Sequence, residues 1–518
     1  MWDKEDYIMV VQHNMQAMNA NRMLNVTTSA QSKSTEKLSS GYKINRAADD
    51  AAGLTISEKM RKQIRGLDQA STNAQDGVSS VQTAEGALTE VHSMLQRMNE
   101  LATQAANGTN SKDSDRQAIQ DEIDQLTTEI DRVSETTKFN ETYLLKGEAG
   151  TKTINMKAHD AGLKGTLTDN GDGTATFVMD SLKDGDSVSI GGKTYKIGSK
   201  LDDAKNLIKA PATGTVDVEI GDQKFKIKSD GEVQNANGDK LYVKTADGSA
   251  AAATFTAGTS TFTTSATFMN NAQTPTATAN NALSVQNLQA LVKGGVTVKV
   301  GNDTAIAMTD TAGGAADGVD DNDATLITRQ KAYELAGKEL LAANSIGDTE
   351  NHVAVTNGNG DALAFDKGDG SFKINVGQAK VANSLAFSLH VGADADMTNK
   401  IQVNIDAMDS ASLGIKGLNI KDDSGNAATY AVDAISDAIS KVSSQRSSLG
   451  AVQNRLEHTI NNLDNVVENT TSAESRIRDT DMAKEMVNYS KNNILAQAGQ
   501  SMLAQANQSN QGVLSLLQ

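Results

Sequence analysis

The residues of this sequence that could perform chemistry are few and widely separated. The six histidines stand at positions 13, 92, 159, 352, 390 and 458, too far apart in the chain to form a recognisable zinc pair such as HExxH. Cysteine is absent, which removes disulfides, thiolate metal ligands and cysteine nucleophiles together. We therefore expect no metal ion bound through histidine or cysteine.

The acidic run at residues 317–323 (DGVDDND) invites comparison with a calcium-binding loop. A loop of the EF-hand type needs oxygen-bearing side chains at alternate positions, then a glycine and a more distant glutamate. Asp321 and Asp323 alternate, but neither a suitably placed glycine nor a glutamate follows them. The run is therefore predicted to be a solvated turn.

Signatures of nucleotide binding and acyl transfer are also missing. The glycine-rich pieces at residues 358–360 (GNG) and 368–370 (GDG) lack the GxGxxG spacing and the strand-to-helix setting that hold a phosphate. No GxSxG nucleophile elbow occurs. Aromatic residues make up only 3% of the chain, whereas enzyme pockets are commonly lined by them. The sequence predicts a protein that is not an enzyme and carries no cofactor.

The charge and hydropathy of the chain argue against two classes of partner. It carries 65 acidic and 48 basic residues, a net charge of −17, and its acidic surface is expected to repel nucleic acid. No apolar run approaches the ~18 residues of a membrane span, and no signal-peptide core precedes the first helical pattern. We expect neither nucleic acid nor membrane as a partner. If the protein is exported, we expect a route that reads no cleavable signal.

Three apolar ladders with the spacing of packed helices organise the two ends of the chain. The first consists of Val81, Leu88, Val91, Leu95, Met98, Ala102 and Ala105. The second consists of Val442, Leu449, Val452, Leu456, Ile460, Leu463 and Val467. The third consists of Ala483, Val487, Ile494, Ala498, Met502, Ala506 and Val513. Such steps keep side chains on one face of a helix that packs on another helix, so we expect the chain to fold by bringing its termini together.

The outermost segments at both ends have thin apolar faces. Residues 9–50 place Met15 and Met18 at helical spacing among many polar residues, and residues 478–518 have the same character. Such segments bury too little to offset an ordering cost of about 1–2 kcal/mol per residue. They are predicted to be disordered in the monomer and to become inner helices when they dock with copies of the chain or with partners.

The first eight residues, MWDKEDYI, differ in composition from the helical pattern that follows and contain the sole tryptophan. Codons for Lys4, Glu5 and Asp6 can include a ribosome-binding sequence just ahead of Met9. Residues 1–8 are therefore expected to be a leader or a mis-assigned start. Sequencing the N-terminus of the native protein would decide between these two expectations.

The segments inside these ends predict an antiparallel helical bundle. A helix is expected from residue 66 to residue 107, and turn-forming residues follow at 107–115. The next seam is formed by Ile119, Ile123, Leu126, Ile130 and Val133. Residues 51–150 and 425–477 are therefore predicted to form a helical-bundle core domain. Connectors before it are marked by the triplets SSG at 39–41 and AAG at 51–53.

Residues 151–424 are expected to form one or two β-rich inserted domains at the exposed surface. Short alternating runs predict strands at 187–190, 193–197, 216–220, 224–227, 241–244 and 296–300. Turn pairs at 191–192 and 221–222 predict that the first four pair as hairpins, and one helix is expected at 324–344. The fold class is thus mainly α terminal regions, with coiled-coil helices and a bundle built from both chain ends, and a β-rich inserted outer region.

Both ends of the chain resemble the bacterial flagellin family. The motifs that carry the resemblance are EKLSSGYKIN at 36–45, AADDAAG at 47–53, NAQDG at 73–77, QTAEGAL at 82–88, LGAVQNR at 449–455 and AQANQ at 504–508. They are long enough to be highly specific. The middle of the chain resembles no particular domain.

The resemblance implies a structural subunit that polymerises into the extracellular flagellar filament and so serves motility. The outermost segments would form an inner tube around a channel, and the bundle an outer tube. It also implies secretion through the flagellar type III route, an export chaperone that covers the third ladder from Ala483 to Val513, and contacts with hook-associated and cap proteins.

Two alternatives remain beside a filament subunit. A hook–filament junction protein, or another secreted helical adaptor, would share the terminal helices without forming long filaments. A flagellin with a metallopeptidase in its insert is a third class, and the missing HExxH motif argues against it.

The resemblance further implies recognition by Toll-like receptor 5. The family motif on the long helix is present here as LQRMNEL at 95–101, and the residues that match the family's receptor site are Gln96, Arg97, Leu101 and Glu122. Arg97 would supply a guanidinium fork and Leu101 an apolar plug. Asn99 departs from the strongly recognised members, which have arginine there, so the strength of recognition is an open expectation.

Overall fold

The computed structural model describes residues 14–516 apart from 112–113, 245–260, 264–266, 270–274, 279–281, 311–315, 359, 364–368 and 423. The expected leader at residues 1–8 and its boundary at Met9 lie outside the described residues. The helices within the described part are α1 (Met15–Ser40), α2 (Ala51–Ala105), α3 (Asp115–Thr136), α4 (Leu201–Leu207), α5 (Val285–Leu291), α6 (Arg329–Asn344), α7 (Ser410–Leu413), α8 (Asn426–Arg478) and α9 (Met482–Leu516).

Most of the strands lie between α3 and α8. Up to α5 they are β1 (Lys138–Phe139), β2 (Thr142–Tyr143), β3 (Glu148–Asn155), β4 (Gly165–Asp169), β5 (Thr174–Met179), β6 (Ser187–Ile190), β7 (Lys193–Lys200), β8 (Thr215–Ile220), β9 (Gln223–Lys228), β10 (Val233–Gln234), β11 (Tyr242–Lys244), β12 (Thr261–Thr263), β13 (Thr267–Met269) and β14 (Pro275–Thr278). After α5 come β15 (Thr297–Val300), β16 (Asp303–Met308), β17 (Leu326–Thr328), β18 (Ala354–Asn357), β19 (Ser371–Asn375), β20 (Gln378–Asn383), β21 (Leu385–His390) and β22 (Lys400–Ile405). The predicted fold class is therefore confirmed: in sequence order, long helices at both chain ends flank a β-rich middle region.

Capping residues set the helix boundaries that the sequence pattern misplaced. Asp50 Oδ1 accepts a hydrogen bond from the Gly53 backbone N–H at 2.8 Å, so the triplet at 51–53 is the first turn of α2 and not a connector. The expected start of this helix at residue 66 is therefore wrong. In α6 the expected start at 324 is also wrong, because residues 326–328 form β17 and Thr328 caps the helix by accepting a hydrogen bond from Lys331 N.

The chain divides into two compact units. The first comprises the described parts of Met1–Gln82, Ala386–Val403 and Ser448–Gln518. In it, Ser57 Oγ donates to Glu474 Oε1 at 2.7 Å and Ser71 Oγ donates to Asp464 Oδ1 at 3.0 Å, which ties α2 to α8. A small core in this unit contains Ala74, Val391, Ile401 and Leu456, with Val78, Leu389, Val452 and Ile460 packed against it.

The second unit comprises the described parts of Thr83–Leu385 and Asn404–Ser447. Its main sheet has the strand order β10-β9-β8-β15-β16-β7-β17, with β6 paired to β7, and a second sheet has the order β18-β19-β5-β4. The predicted hairpins are present as antiparallel β6–β7 and β8–β9 pairs. One apolar core gathers around Phe177 and Phe372, and another around Phe225 and Leu288.

Candidate functional site

The helices α1 and α9 pack against each other along a seam that includes small residues. The less exposed positions of α9 include residues 485, 489, 492, 496, 499, 503 and 506, a spacing of fours and threes that is typical of a coiled-coil seam. A Cβ atom placed on Gly499 would lie 3.3 Å from Leu24 Cδ1 on α1, so glycine allows the close approach. Near the other end of the pair, Asn14 Nδ2 donates to the Ala506 carbonyl oxygen at 3.1 Å.

The predicted third ladder lies mostly away from this seam. The exposed fractions are 67% for Val487, 66% for Ile494 and 62% for Met502. Ala483 and Ala498 are exposed as well, Ala506 is half-buried in the seam, and the side chain of Val513 lies outside the described side chains. Isolated exposed apolar residues are ordinary on a protein surface, but a row along one helix indicates a surface that a partner covers. We call the residues from Ala483 to Met502 of this ladder the α9 stripe.

Residues 42–43, which follow α1, contact residues 478–479, which precede α9. We call this set of contacts the clasp. Gly41 ends α1 with a φ angle of 76°, and the neighbouring Tyr42 forms an isolated β-bridge with Asp479. Lys43 N donates to the Arg478 carbonyl oxygen at 2.6 Å, and the Arg478 guanidinium lies 4.5 Å from the centre of the Tyr42 ring. The end of α1 and the start of α9 are therefore held side by side.

The predicted receptor residues form a charged patch on α2 and α3. Arg97 Nε donates to Glu122 Oε1 at 2.9 Å, and Arg97 Nη1 donates to Glu100 Oε2 at 3.2 Å. The hydrogen bonds that Arg97 donates to these two carboxylates raise the pKa of Arg97, and the one to Glu122 has the larger effect. Two of the five guanidinium donors are used in this way, so the others remain available at a side chain that is 51% exposed.

The other two predicted receptor residues differ in exposure. Gln96 is exposed beside Arg97, whereas Leu101 is only 2% exposed and packs inside the helical bundle. The expectation that Leu101 offers an apolar plug to a partner is therefore not met by its position. The reason is that residue 101 continues the inward face of Met98 and Ala102, each 0% exposed. Asn99 is half-buried, and its Oδ1 atom has no hydrogen-bond partner.

Comparison with known proteins identifies the family. Residues 11–150 match the family model of the bacterial flagellin N-terminal helical region, and residues 432–517 match that of the C-terminal helical region. A flagellin of Clostridium tyrobutyricum is 37% identical over 97% of this chain and 100% of its own length. The chain belongs to the flagellin family. A flagellin of Bacillus subtilis strain 168 is 33% identical over 98% of this chain and 100% of its own length.

Flagellins are structural proteins of the flagellar filament, which lies outside the cell. Among solved structures, FliC of Burkholderia pseudomallei aligns with 73% of this chain and 99% of its own, at 20% identity and a TM-score of 0.24. No helix within the described part of this flagellin is long and apolar enough to span a bilayer.

The acidic run of this flagellin is a hydrogen-bonded turn. Asp320 is only 6% exposed, and its carboxylate accepts hydrogen bonds from the backbone N–H groups of Thr309, Asn322 and Asp323. The run was predicted to be a solvated turn, and its other aspartates are exposed, whereas three backbone donors stabilise the buried carboxylate of Asp320. Among the described residues, no group of three or more acidic or histidine side chains is arranged to hold a metal ion.

The α1–α9 seam and the clasp were not predicted from the sequence. The α1–α9 seam includes Ala496, Gly499 and Leu503, whose spacing is typical of helix packing. Alanine and glycine are only weakly hydrophobic, so the hydrophobic pattern of the sequence did not reveal this face. The clasp between Tyr42 and Arg478 left no signal, since its partners are far apart in sequence and act through backbone pairing.

Proposed function

We propose that this flagellin assembles through the exposed faces of α1 and α9, and that its outer ends order only within the filament. The supporting observation is the division of α9 into two faces. One face of α9 packs against α1 of the same chain, whereas the α9 stripe is exposed and packs against none of the described residues. Neighbouring subunits of a helical polymer would cover it.

The energetics favour repeated burial over a single contact. Removing a valine, leucine, isoleucine or methionine side chain from water contributes about 1.5–3 kcal/mol. Val487 and Ile494, each about two-thirds exposed, leave most of that contribution unused in one chain. In a helical polymer every subunit makes the same contact, so thin apolar faces become sufficient to stabilise the assembly.

The domain limits remain predictions within this proposal. They are 9–50 with 478–518 for the inner helices, 51–150 with 425–477 for the bundle, and 151–424 for the β-rich insert.

Seeded elongation of the variant Ile494→Asp tests the assembly surface. A carboxylate in a covered apolar contact is costly, so we expect elongation to slow at least tenfold, which corresponds to about 1.4 kcal/mol or more. Val178→Asp is the matched control, because Val178 is 49% exposed on β5, outside the terminal helices. Equal elongation of Ile494→Asp and the unaltered protein would refute the proposed surface. Absence of tubes for the unaltered protein, by electron microscopy, would favour a junction protein.

We propose that an export chaperone covers the same stripe of α9 before assembly. A groove on α9 is lined by Met486, Val487 and Ile494 together with Leu495, an apolar surface that needs cover in the cell before secretion. Secretion by the flagellar type III route would deliver the chain to the growing filament, where cap and hook-associated proteins are its further partners. Chaperone and polymer would then compete for the same side chains.

We propose recognition by Toll-like receptor 5 as a second role, carried by Gln96, Arg97 and Glu122. Leu101 is not part of this proposal, because its side chain is only 2% exposed. The free donors of Arg97, oriented by Glu122 at 2.9 Å, suit backbone or carboxylate acceptors on a protein surface.

Replacing Arg97 by alanine tests the receptor site. We expect the affinity of the monomer for the receptor ectodomain to fall about tenfold or more, as for an interface arginine that carries binding energy. Arg132→Ala is the matched control, because Arg132 is also exposed and pairs with Glu129 on α3 at 2.7 Å. Both proteins should keep their helical circular dichroism. An unchanged affinity for Arg97→Ala would remove this site from the proposal.

A further inference from the structure

The methionines of the terminal helices differ in exposure from those elsewhere in the described chain. Six lie exposed on α1 or α9, with exposed fractions of 71% for Met15, 60% for Met18, 56% for Met23, 49% for Met482, 52% for Met486 and 62% for Met502. We call this set the terminal methionines. By contrast, Met98 and Met308 are at most 1% exposed, and Met179 and Met408 at most 5%. Met397, at 73%, is the exposed methionine outside the two helices.

Sulfur chemistry in this protein falls entirely on methionine, because the sequence contains no cysteine. Thioethers react with hydroperoxides and hypochlorous acid when these reagents can reach the sulfur. We propose that the terminal methionines are an oxidation site that controls assembly: a subunit whose terminal thioethers have become sulfoxides cannot elongate a filament. This inference rests on the assembly surface proposed above and adds its regulation by oxidants.

The chemical step needs a two-electron oxidant and nothing else. With hydrogen peroxide, the O–O bond breaks and one oxygen atom bonds to the methionine sulfur, which is oxidised by two electrons. The second oxygen leaves as water together with both peroxide hydrogens. The product is a polar and chiral sulfoxide in place of an apolar thioether, and methionine sulfoxide reductases reverse the change.

The position of the sulfurs connects this step to assembly. Met486 lines the groove on α9 beside Val487 and Ile494, and Met18 lines one on α1 beside Val26. A sulfoxide at Met486 puts a strong hydrogen-bond acceptor into a mainly apolar groove, whereas the groove at Met18 also contains Asn21, Arg22 and Asn25. Once a subunit is in the filament, the same sulfurs are covered and oxidant no longer reaches them. Sensitivity is therefore confined to the interval before incorporation.

The test compares seeded elongation before and after treatment of the full-length monomer with hydrogen peroxide, with oxidation mapped by peptide mass spectrometry. We expect oxidation at the terminal methionines and Met397, no oxidation at Met98 or Met308, and at least tenfold slower elongation. A variant with all six terminal methionines replaced by leucine, a nearly volume-conserving change, should elongate equally fast before and after peroxide. Met397→Leu, with the terminal methionines kept, should still lose elongation after treatment.

A second measurement keeps the test decisive should the six-leucine variant fail to assemble at all. Oxidised wild-type monomer incubated with methionine sulfoxide reductases should regain its elongation rate. Undiminished elongation of monomer oxidised at the six positions would overturn the inference, and so would loss that persists after reduction. Failure of the untreated monomer to elongate would instead contradict the proposed assembly surface, so the two failures are distinguishable.

Discussion

At the scale of single residues, the buried Arg116 connects several segments of the second unit. This side chain is 1% exposed, and its Nε donates to the Ala105 carbonyl oxygen at 2.9 Å while Nη1 donates to the Asp422 carbonyl oxygen at 2.7 Å. Ala105 is the last residue of α2, so its carbonyl has no partner within the helix. A cation there also complements the negative end of the helix dipole. Arg116 thus fastens α2 and α3 to the loop that leads into α8.

Replacing Arg116 by methionine should destabilise the protein considerably. The change removes the hydrogen bonds to one buried and one partly buried carbonyl group, each of which costs about 1–3 kcal/mol, so we expect a loss of about 2–5 kcal/mol in the free energy of unfolding. Urea unfolding followed by far-UV circular dichroism measures it. Arg132→Met on the same helix is the control, since Arg132 is 59% exposed and its change should stay within about 0.5 kcal/mol. Similar unfolding midpoints for both variants would contradict this role.

The receptor residues implied by the resemblance remain a prediction, and the structure places two of them, Arg97 and Leu101, differently. They are four residues apart, and a four-residue step turns a helix by slightly more than one full turn. That rotation is enough to carry Leu101 into the buried stripe with Met98, whereas Arg97 stays at the edge with Glu122. The contact between Arg97 and Glu122, on different helices, requires the three-dimensional structure.

At the scale of elements, the three predicted ladders have different outcomes. Leu88, Leu95 and Met98 of the first and Leu449 and Leu456 of the second are fully buried. The third ladder is a real apolar face, but the chain packs α9 through a different one. A hydrophobic pattern marks a face that needs a partner without saying whether the partner lies in the same molecule. Small residues such as Ala496 and Gly499 supplied the intramolecular seam instead.

Short alternating runs predicted six strands, and turn chemistry also predicted which of them pair as hairpins. Gly191-Gly192 and Gly221-Asp222 located the two hairpins because positive φ angles at Gly191, Gly192 and Gly221 are readily adopted by glycine. In contrast, β3 pairs with β20 and β5 with β19, so those strands find their partners across long sequence separations. Local pattern carries no information about such pairings. The predicted start of α6 at residue 324 was wrong because β17 ends at Thr328, the residue that caps the helix.

The close approach of α1 to α9 leads to a prediction at this scale. In Gly499→Leu, the new side chain meets Leu24, whose Cδ1 would lie 3.3 Å from the added Cβ. Overpacking of this kind costs about 1–3 kcal/mol, so we expect the critical concentration for seeded filament growth to rise about fivefold or more. Gly450→Leu on α8 is the control, since nothing lies within 4 Å of its added Cβ. An unchanged critical concentration for Gly499→Leu would exclude the seam from the assembled state.

At the scale of the whole molecule, the chain places its β-rich cores in the middle of the sequence and its least covered helices at the ends. Phe177, Phe372 and Phe225 are all at most 4% exposed in the insert, whereas α1 and α9 keep large apolar side chains in water. This distribution suits a subunit whose middle folds independently and whose ends depend on neighbours. Composition and terminal motifs were enough to predict the helical ends and the β-rich middle, whereas the dependence of the ends on neighbours remains a prediction. The sequence did not predict that β3 pairs with β20 or that β5 pairs with β19, because these strands are far apart in the chain.

Amide hydrogen exchange on the monomer and on seeded filaments tests most directly whether the ends depend on assembly. In the monomer, amides of α1 and α9 should exchange much faster than those of α2 and α8, because only a narrow seam and the clasp support the terminal pair. In the filament, all four helices should be strongly protected. Terminal helices that exchange in the dilute monomer as slowly as α2, with no further protection in the filament, would contradict assembly-dependent order.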